Sequence, residues 1–191
     1  MFKKFFIIIL AVTSYALANG VAIVNGSTPQ YLELINSHVQ VSIENQVAIT
    51  TATQTFANRL GGNTTFKYAF PLNEQASAIS LRWQIHNNWY TASFSATPQD
   101  TSVTGGEGEE PAASLKNYLG ATPLYFNISE VLGNDSLVTI ELTYVEFLPY
   151  EFGVVDYTYP NDYQLIQSAA IDTQNFNLVI NSDRNIDSLK L

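Results

Sequence analysis

From position 39 onward, apolar residues recur at every second place. Val39, Val41 and Ile43 alternate with Gln40, Ser42 and Glu44, the spacing that lines one face of a β-strand. After a short turn at Asn45, Val47 and Ile49 resume the pattern, which predicts a hairpin. Thr50, Thr51, Thr53 and Thr55 are β-branched and suit a pleated, half-buried surface. Gly61-Gly62-Asn63 interrupts, and Phe66, Tyr68 and Phe70 then share a face before Pro71 ends the pairing. Ile79, Leu81, Trp83 and Ile85 alternate with Ser80, Arg82, Gln84 and His86, Asn87-Asn88 suits a tight turn, and a partner strand is predicted from Trp89 to Ala96.

Between Thr97 and Gly120 no period is sustained. Pro98, Gly105, Gly106, Gly108 and the acidic Glu107, Glu109 and Glu110 predict a long surface loop, mobile and metal-free. A short helix ends it, with Pro111 in a first-turn position and Gly120 as its C-terminal cap. Period two returns in Leu124, Phe126 and Ile128. It is clearer in Val138, Ile140, Leu142 and Tyr144 opposite Thr139, Glu141 and Thr143, with Gly133-Asn134-Asp135 as the turn between. Three weaker strands are predicted around 154–159, 163–171 and 176–180. Many short strands, frequent turns and at most one short helix define the expected class: all-β, an antiparallel β-sandwich with one long acidic loop.

The first 18 residues belong to a different grammar. Lys3-Lys4, the apolar run Phe5 to Val12 and then Ala16-Leu17-Ala18 form the charged, hydrophobic and small-residue regions of a secretory signal, with cleavage expected between Ala18 and Asn19. The run is too short to span a bilayer, which takes roughly 20 apolar residues, so no membrane insertion is expected after cleavage. Residues 19–191 then read as one domain. Export with no cysteine at all favours a bacterial periplasm or surface over an animal secretory route. The alternation still running through Asn177 to Leu191 reads as a fragment of a longer protein.

Composition narrows the chemistry. Eight Lys and Arg against 17 Asp and Glu give a net charge of -9, a surface that repels nucleic-acid phosphates. Without Cys, and with only His38 and His86, there is no Cys-based zinc site, no thiol nucleophile and no disulfide frame. Asp100-x-Ser102-x-Thr104 matches an adhesion-type metal pattern but lacks the apolar strand that should precede its Asp. Glu107, Glu109 and Glu110 are read as a solvated acidic loop. No G-x-S-x-G elbow or phosphate-binding glycine loop occurs, so no catalytic residue, metal or cofactor is assigned. Parity places Trp83 in the core and Trp89 outside. Trp89 with Tyr125 is the candidate binding surface, the exposed-aromatic feature that a carbohydrate-binding or hydrolytic sandwich would carry.

The stretch from Val39 to Leu72 resembles the VIT domain (vault protein inter-alpha-trypsin domain) family. The likeness rests on the V-x-V-x-I run, Gln46-Val47-Ala48, Thr53-Gln54-Thr55-Phe56-Ala57-Asn58, Tyr68-Ala69-Phe70-Pro71-Leu72 and the late Leu142-Thr143-Tyr144-Val145-Glu146 with Leu148. It spans about residues 30 to 160. The resemblance implies a β-sandwich in which Phe56, Asn58, Tyr68, Phe70, Pro71 and Tyr144 determine the fold. It also implies a non-enzymatic protein-interaction or structural module, as in inter-alpha-trypsin inhibitor heavy chains, with a protein, extracellular-matrix or cell-surface component as partner. The family's helical segment has only Ala112, Ala113, Tyr118 and Gly120 as remnants here. The von Willebrand A-type domain that commonly follows in the family has no counterpart in these 191 residues, so no adhesion function is carried over.

Overall fold

The computed structural model describes residues 19–24, 29–93, 110–120, 122–164 and 166–189, with the backbone alone for 110–114. The predicted signal segment, with Ala18, lies outside the described residues, as do Asp100, Ser102, Thr104, Glu107 and Glu109.

Among the described residues, eleven strands and one helix follow in order: β1 (Val21–Val24), β2 (Glu33–Glu44), β3 (Val47–Ala57), β4 (Thr64–Phe70), β5 (Ala76–Ile85), β6 (Asn88–Thr91), α1 (Glu110–Leu119), β7 (Leu124–Leu132), β8 (Leu137–Phe147), β9 (Tyr150–Glu151), β10 (Val154–Val155) and β11 (Thr173–Asn181). A six-stranded sheet runs β11-β2-β3-β8-β5-β6 and faces a three-stranded sheet β1-β4-β7; β9 and β10 form a small separate hairpin. All pairs are antiparallel except β11, which lies parallel to β2.

The alternating residues fill the space between the two sheets. Ala52 and Phe56 of β3, Phe66, Tyr68 and Phe70 of β4, Leu81, Trp83 and Ile85 of β5, and Val138, Ile140, Leu142 and Tyr144 of β8 form one buried cluster. The small sheet is covered on its other face too. Leu115, Tyr118 and Leu119 of α1 pack on Val21, Ile23 and Ala69. Sandwiched on both sides, β1 is buried at all four residues, so its sequence, Val-Ala-Ile-Val, shows no alternation and offers no period to read. The helix ends as its sequence requires: Gly120 takes φ 77°, which costs glycine little, and its N–H donates to the Lys116 carbonyl at 3.0 Å.

Several details differ from the sequence expectation. Ile79 is 53% exposed because the β5–β8 register slips between Ala78 and Ser80, and a bulge turns one residue out of the alternation. Val47 and Ile49 do not rejoin the core face of β2. The two-residue turn pairs Ile43 with Ala48 and Glu44 with Val47, which sends Ala48, Thr50 and Ala52 inward instead. The β5–β6 turn sits one residue earlier than expected, with positive φ at His86 and Asn87. Of the weak tail strands, 176–180 is the core of β11, and the described residues of 163–171 form no strand. Around 154–159 only Val154–Val155 pairs.

Candidate functional site

The two sheets are offset, and the offset leaves an opening. On the inner face of the six-stranded sheet, Ile43, Ala48, Glu146 and Ala76 form one row across β2, β3, β8 and β5. β4 has already ended at Phe70 and does not cover the row along its full width. The chain after β8 closes one part, with Leu148 and Tyr157 packed on Val39, Val41, Ile43 and Ala48. Between 156–160, the β4–β5 connection and the end of α1 a cleft of about 440 Å³ remains. Its walls are largely apolar and stiff, with Pro71, Leu72, Leu119, Phe147, Pro149 and Pro160. Among the described residues, Glu74, Glu146 and Asp156 are its carboxylates, and no Lys, Arg or His lines it.

Glu146 is the unusual member. It has the inward parity of Val138, Ile140, Leu142 and Tyr144 on β8 and is 4% exposed. One carboxylate oxygen, Oε2, accepts from Asn73 Nδ2. The other, Oε1, is buried with no hydrogen-bond partner. Burial raises its pKa above the ordinary carboxylate value, and the Asn73 hydrogen bond only partly offsets this. A desolvated carboxylate with an unmet acceptor costs free energy that a bound donor can recover. The clue was in the sequence, since Glu146 is two places beyond Tyr144 in an alternating strand. It reads as a polar residue at a core position rather than as the strand's solvent face.

Hydroxyls surround the same end of the core. Thr50 Oγ1 and the Tyr157 hydroxyl are 2.8 Å apart, and burial raises the pKa of Tyr144 and Tyr157 so that both phenols stay neutral. Further in, the Tyr68 hydroxyl donates to Gln54 Oε1 at 2.7 Å and Gln54 Nε2 donates to Asn19 Oδ1 at 2.8 Å. The Tyr159 hydroxyl reaches the same Asn19 oxygen at 3.2 Å. Asn19, fully buried, thus ties the start of β1 to both sheets, and its backbone N–H donates to the Asp162 carbonyl at 3.0 Å.

The residues singled out by their resemblance occupy the core. Phe56 meets Tyr68 edge-on at 6.4 Å, Tyr68 lies 6.5 Å from Phe70, and Phe70 lies 5.6 Å from Tyr144. Asn58 is fully buried, and its Nδ2 serves the carbonyls of Gly62, Leu132 and Gly133. One side chain thereby holds two turns at the same end of the sandwich. Pro71 and Tyr144 also line the cleft, so two fold determinants border the candidate site. Trp89 and Tyr125 are not brought together. Trp89 lies on the open face of the six-stranded sheet, 45% exposed, with the Arg82 guanidinium 4.5 Å from its ring. Tyr125 pairs with Ala69 on the far side of the small sheet and packs toward α1. Among the described residues, no group of three or more His, Cys, Asp or Glu is arranged to hold a metal ion.

Residues 34–144 match the family model described as the vault protein inter-alpha-trypsin domain. No curated protein matches the chain. Among solved structures, one from Legionella pneumophila subsp. pneumophila, described as "a putative nutrient binding protein", is similar over 71% of this chain at 13% identity and a TM-score of 0.43. The chain spans 46% of that protein's length.

Proposed function

The chain belongs to the vault protein inter-alpha-trypsin (VIT) domain family, and from that membership we propose that it works as a non-enzymatic protein-interaction module, exported to the cell surface or envelope. The family match over residues 34–144 carries the reading. The residues behind the resemblance support the family fold, since Phe56, Asn58, Tyr68 and Phe70 are fully buried in packing and turn closure. The basic, apolar and small-residue segments of the first 18 residues support export.

Two measurements test the two halves. The intact mass of protein recovered from the producing cells should begin at Asn19, and surface labelling or osmotic release should recover it outside the cytosol. A form that keeps residues 1–18 inside the cell overturns the export half. Immobilised domain should retain a protein from the cell exterior in a saturable, stoichiometric manner. Absence of saturable retention overturns the interaction half.

A second reading, a hydrolytic sandwich domain, has one observation in its favour: Glu146, raised by burial, shares the cleft with Asp156 and Glu74, and unlike environments on neighbouring carboxyls are what acid–base pairs use. Release of chromophore from aryl glycosides that is lost in Glu146→Gln would establish that reading in place of the first.

A further inference from the structure

We propose that the Glu146 cleft receives an alkylammonium or guanidinium group, the end of a lysine or arginine side chain presented by the protein partner. The inference rests on the interaction-module reading and gives that interaction a site.

The argument begins with the unmet acceptor. Glu146 is nine-tenths buried and more, Oε2 is held by Asn73, and Oε1 has no hydrogen-bond partner. Left so, the carboxylate is desolvated without compensation, and a donor that also carries positive charge recovers the most. Among the described residues no Lys, Arg or His lines the cleft, so the described lining does not supply that donor. The walls then select among cations. A bare metal ion needs several oxygen ligands converging on one point, and the described residues hold no such group. A side-chain cation needs one carboxylate and an apolar sleeve for its methylenes, which Pro71, Leu72, Pro149 and Pro160 provide. Prolines line the opening, which lowers the ordering cost of binding, and Glu146, whose Oε1 is shielded from solvent in the free protein, turns that oxygen into the cleft it lines when the cation enters. At the mouth Glu74 and Asp156 are exposed. With a chain charge of -9 they favour approach of a basic surface and disfavour an acidic one.

The test titrates the full chain, followed by backbone amide NMR, with Nα-acetyl-lysine methylamide, Nα-acetyl-arginine methylamide and the neutral Nα-acetyl-norleucine methylamide. The expected result is saturable shifts in 71–75, 144–147 and 156–160 with a cationic probe, at least tenfold weaker with norleucine, and at least tenfold weaker in Glu146→Gln. Asp156→Asn, at an exposed position, should weaken the cationic probe several-fold with an unchanged thermal midpoint. Equal response to norleucine, or unchanged lysine and arginine affinity in both variants, overturns the proposal. Free pentylamine binding more tightly than a Gly-Lys-Gly peptide overturns the protein source and assigns the pocket to a small amine. A partner retained equally by wild type and Glu146→Gln overturns this inference and leaves the module reading standing. Binding of the cationic probes with no partner retained overturns the module reading and with it the protein source, and leaves the cleft as a site for a small cation.

Discussion

Gly20 has no room for a side chain. A β-carbon there would overlap Gln54 Oε1 and the Tyr68 hydroxyl, two atoms already hydrogen-bonded to each other at 2.7 Å. Gly20→Ala should therefore destabilise the fold by about 1–3 kcal/mol, the usual range for overpacking a filled core. Denaturant melts with the midpoint unchanged would contradict the packing around Asn19. The two tryptophans make a matched pair for the same measurement. Trp83 is 6% exposed, stacks on Tyr90 at 5.9 Å and donates from Nε1 to Glu130 Oε2 at 3.0 Å. Trp83→Ala should cost about 3–5 kcal/mol, while Trp89→Ala loses a half-exposed ring over Arg82 and should cost under about 1 kcal/mol. Equal losses would contradict the register of β5 against β6. This pair was legible from parity alone, because both residues lie within three places of a tight turn and no bulge falls between them.

At the scale of the element, strands with one wet face announced themselves and strands with none did not. β8 shows five inward positions in strict alternation, whereas β1 is buried on both faces and β11, at the sheet edge, is mostly exposed on both. Period two encodes a contrast between faces, so it vanishes when the faces are alike. Bulges are equally silent. Nothing in Ala78-Ile79-Ser80 marks the slip that exposes Ile79, since the extra residue is fixed by pairing with β8 rather than by local preference. The β9–β10 hairpin shows a local preference being overridden. Its turn residues, Phe152 and Gly153, have φ 50° and 86°, the left-handed pair that Asn-Gly fills best, and a bulky residue there is strained by about 1–2 kcal/mol. Phe152 is also fully exposed, so no packing offsets the strain. Phe152→Asn should raise the thermal midpoint by a gain of about 1 kcal/mol; a fall in the midpoint would mean the ring makes contacts that outweigh the turn.

Across the whole molecule, the site depends on how two sheets of different extent overlap, and a one-dimensional pattern carries no information about that offset. Residues from 71–75, 144–149 and 156–160 line the cleft together, where β4 has stopped at Phe70 and β8 runs on to Phe147. The identity of Glu146 as an inward residue was readable, and its placement at an uncovered edge was not. That placement couples one carboxyl to the stability of the entire fold. Burial raises the Glu146 pKa in the folded state, so the folded protein binds this proton more tightly than the unfolded chain does, and stability falls as pH rises through the interval between the two values. The cost is absent below the ordinary value of 4.5, grows above it, and levels off once the folded-state value is passed. Glu146→Gln removes the charge and keeps the shape. The variant should match wild type at about pH 4 and exceed it at about pH 7, with the gap opening between. Glu74 and Asp156 also line the cleft and are present in both proteins, so their direct contributions largely cancel in the difference. Tyr144 stays neutral throughout because burial raises it. Paired thermal melts from about pH 4 to about pH 8 decide the matter: a gap of the same size at every pH would mean that Glu146 titrates alike in the folded and unfolded chains, and the cleft would then lose the desolvated acceptor on which its affinity for a cation rests.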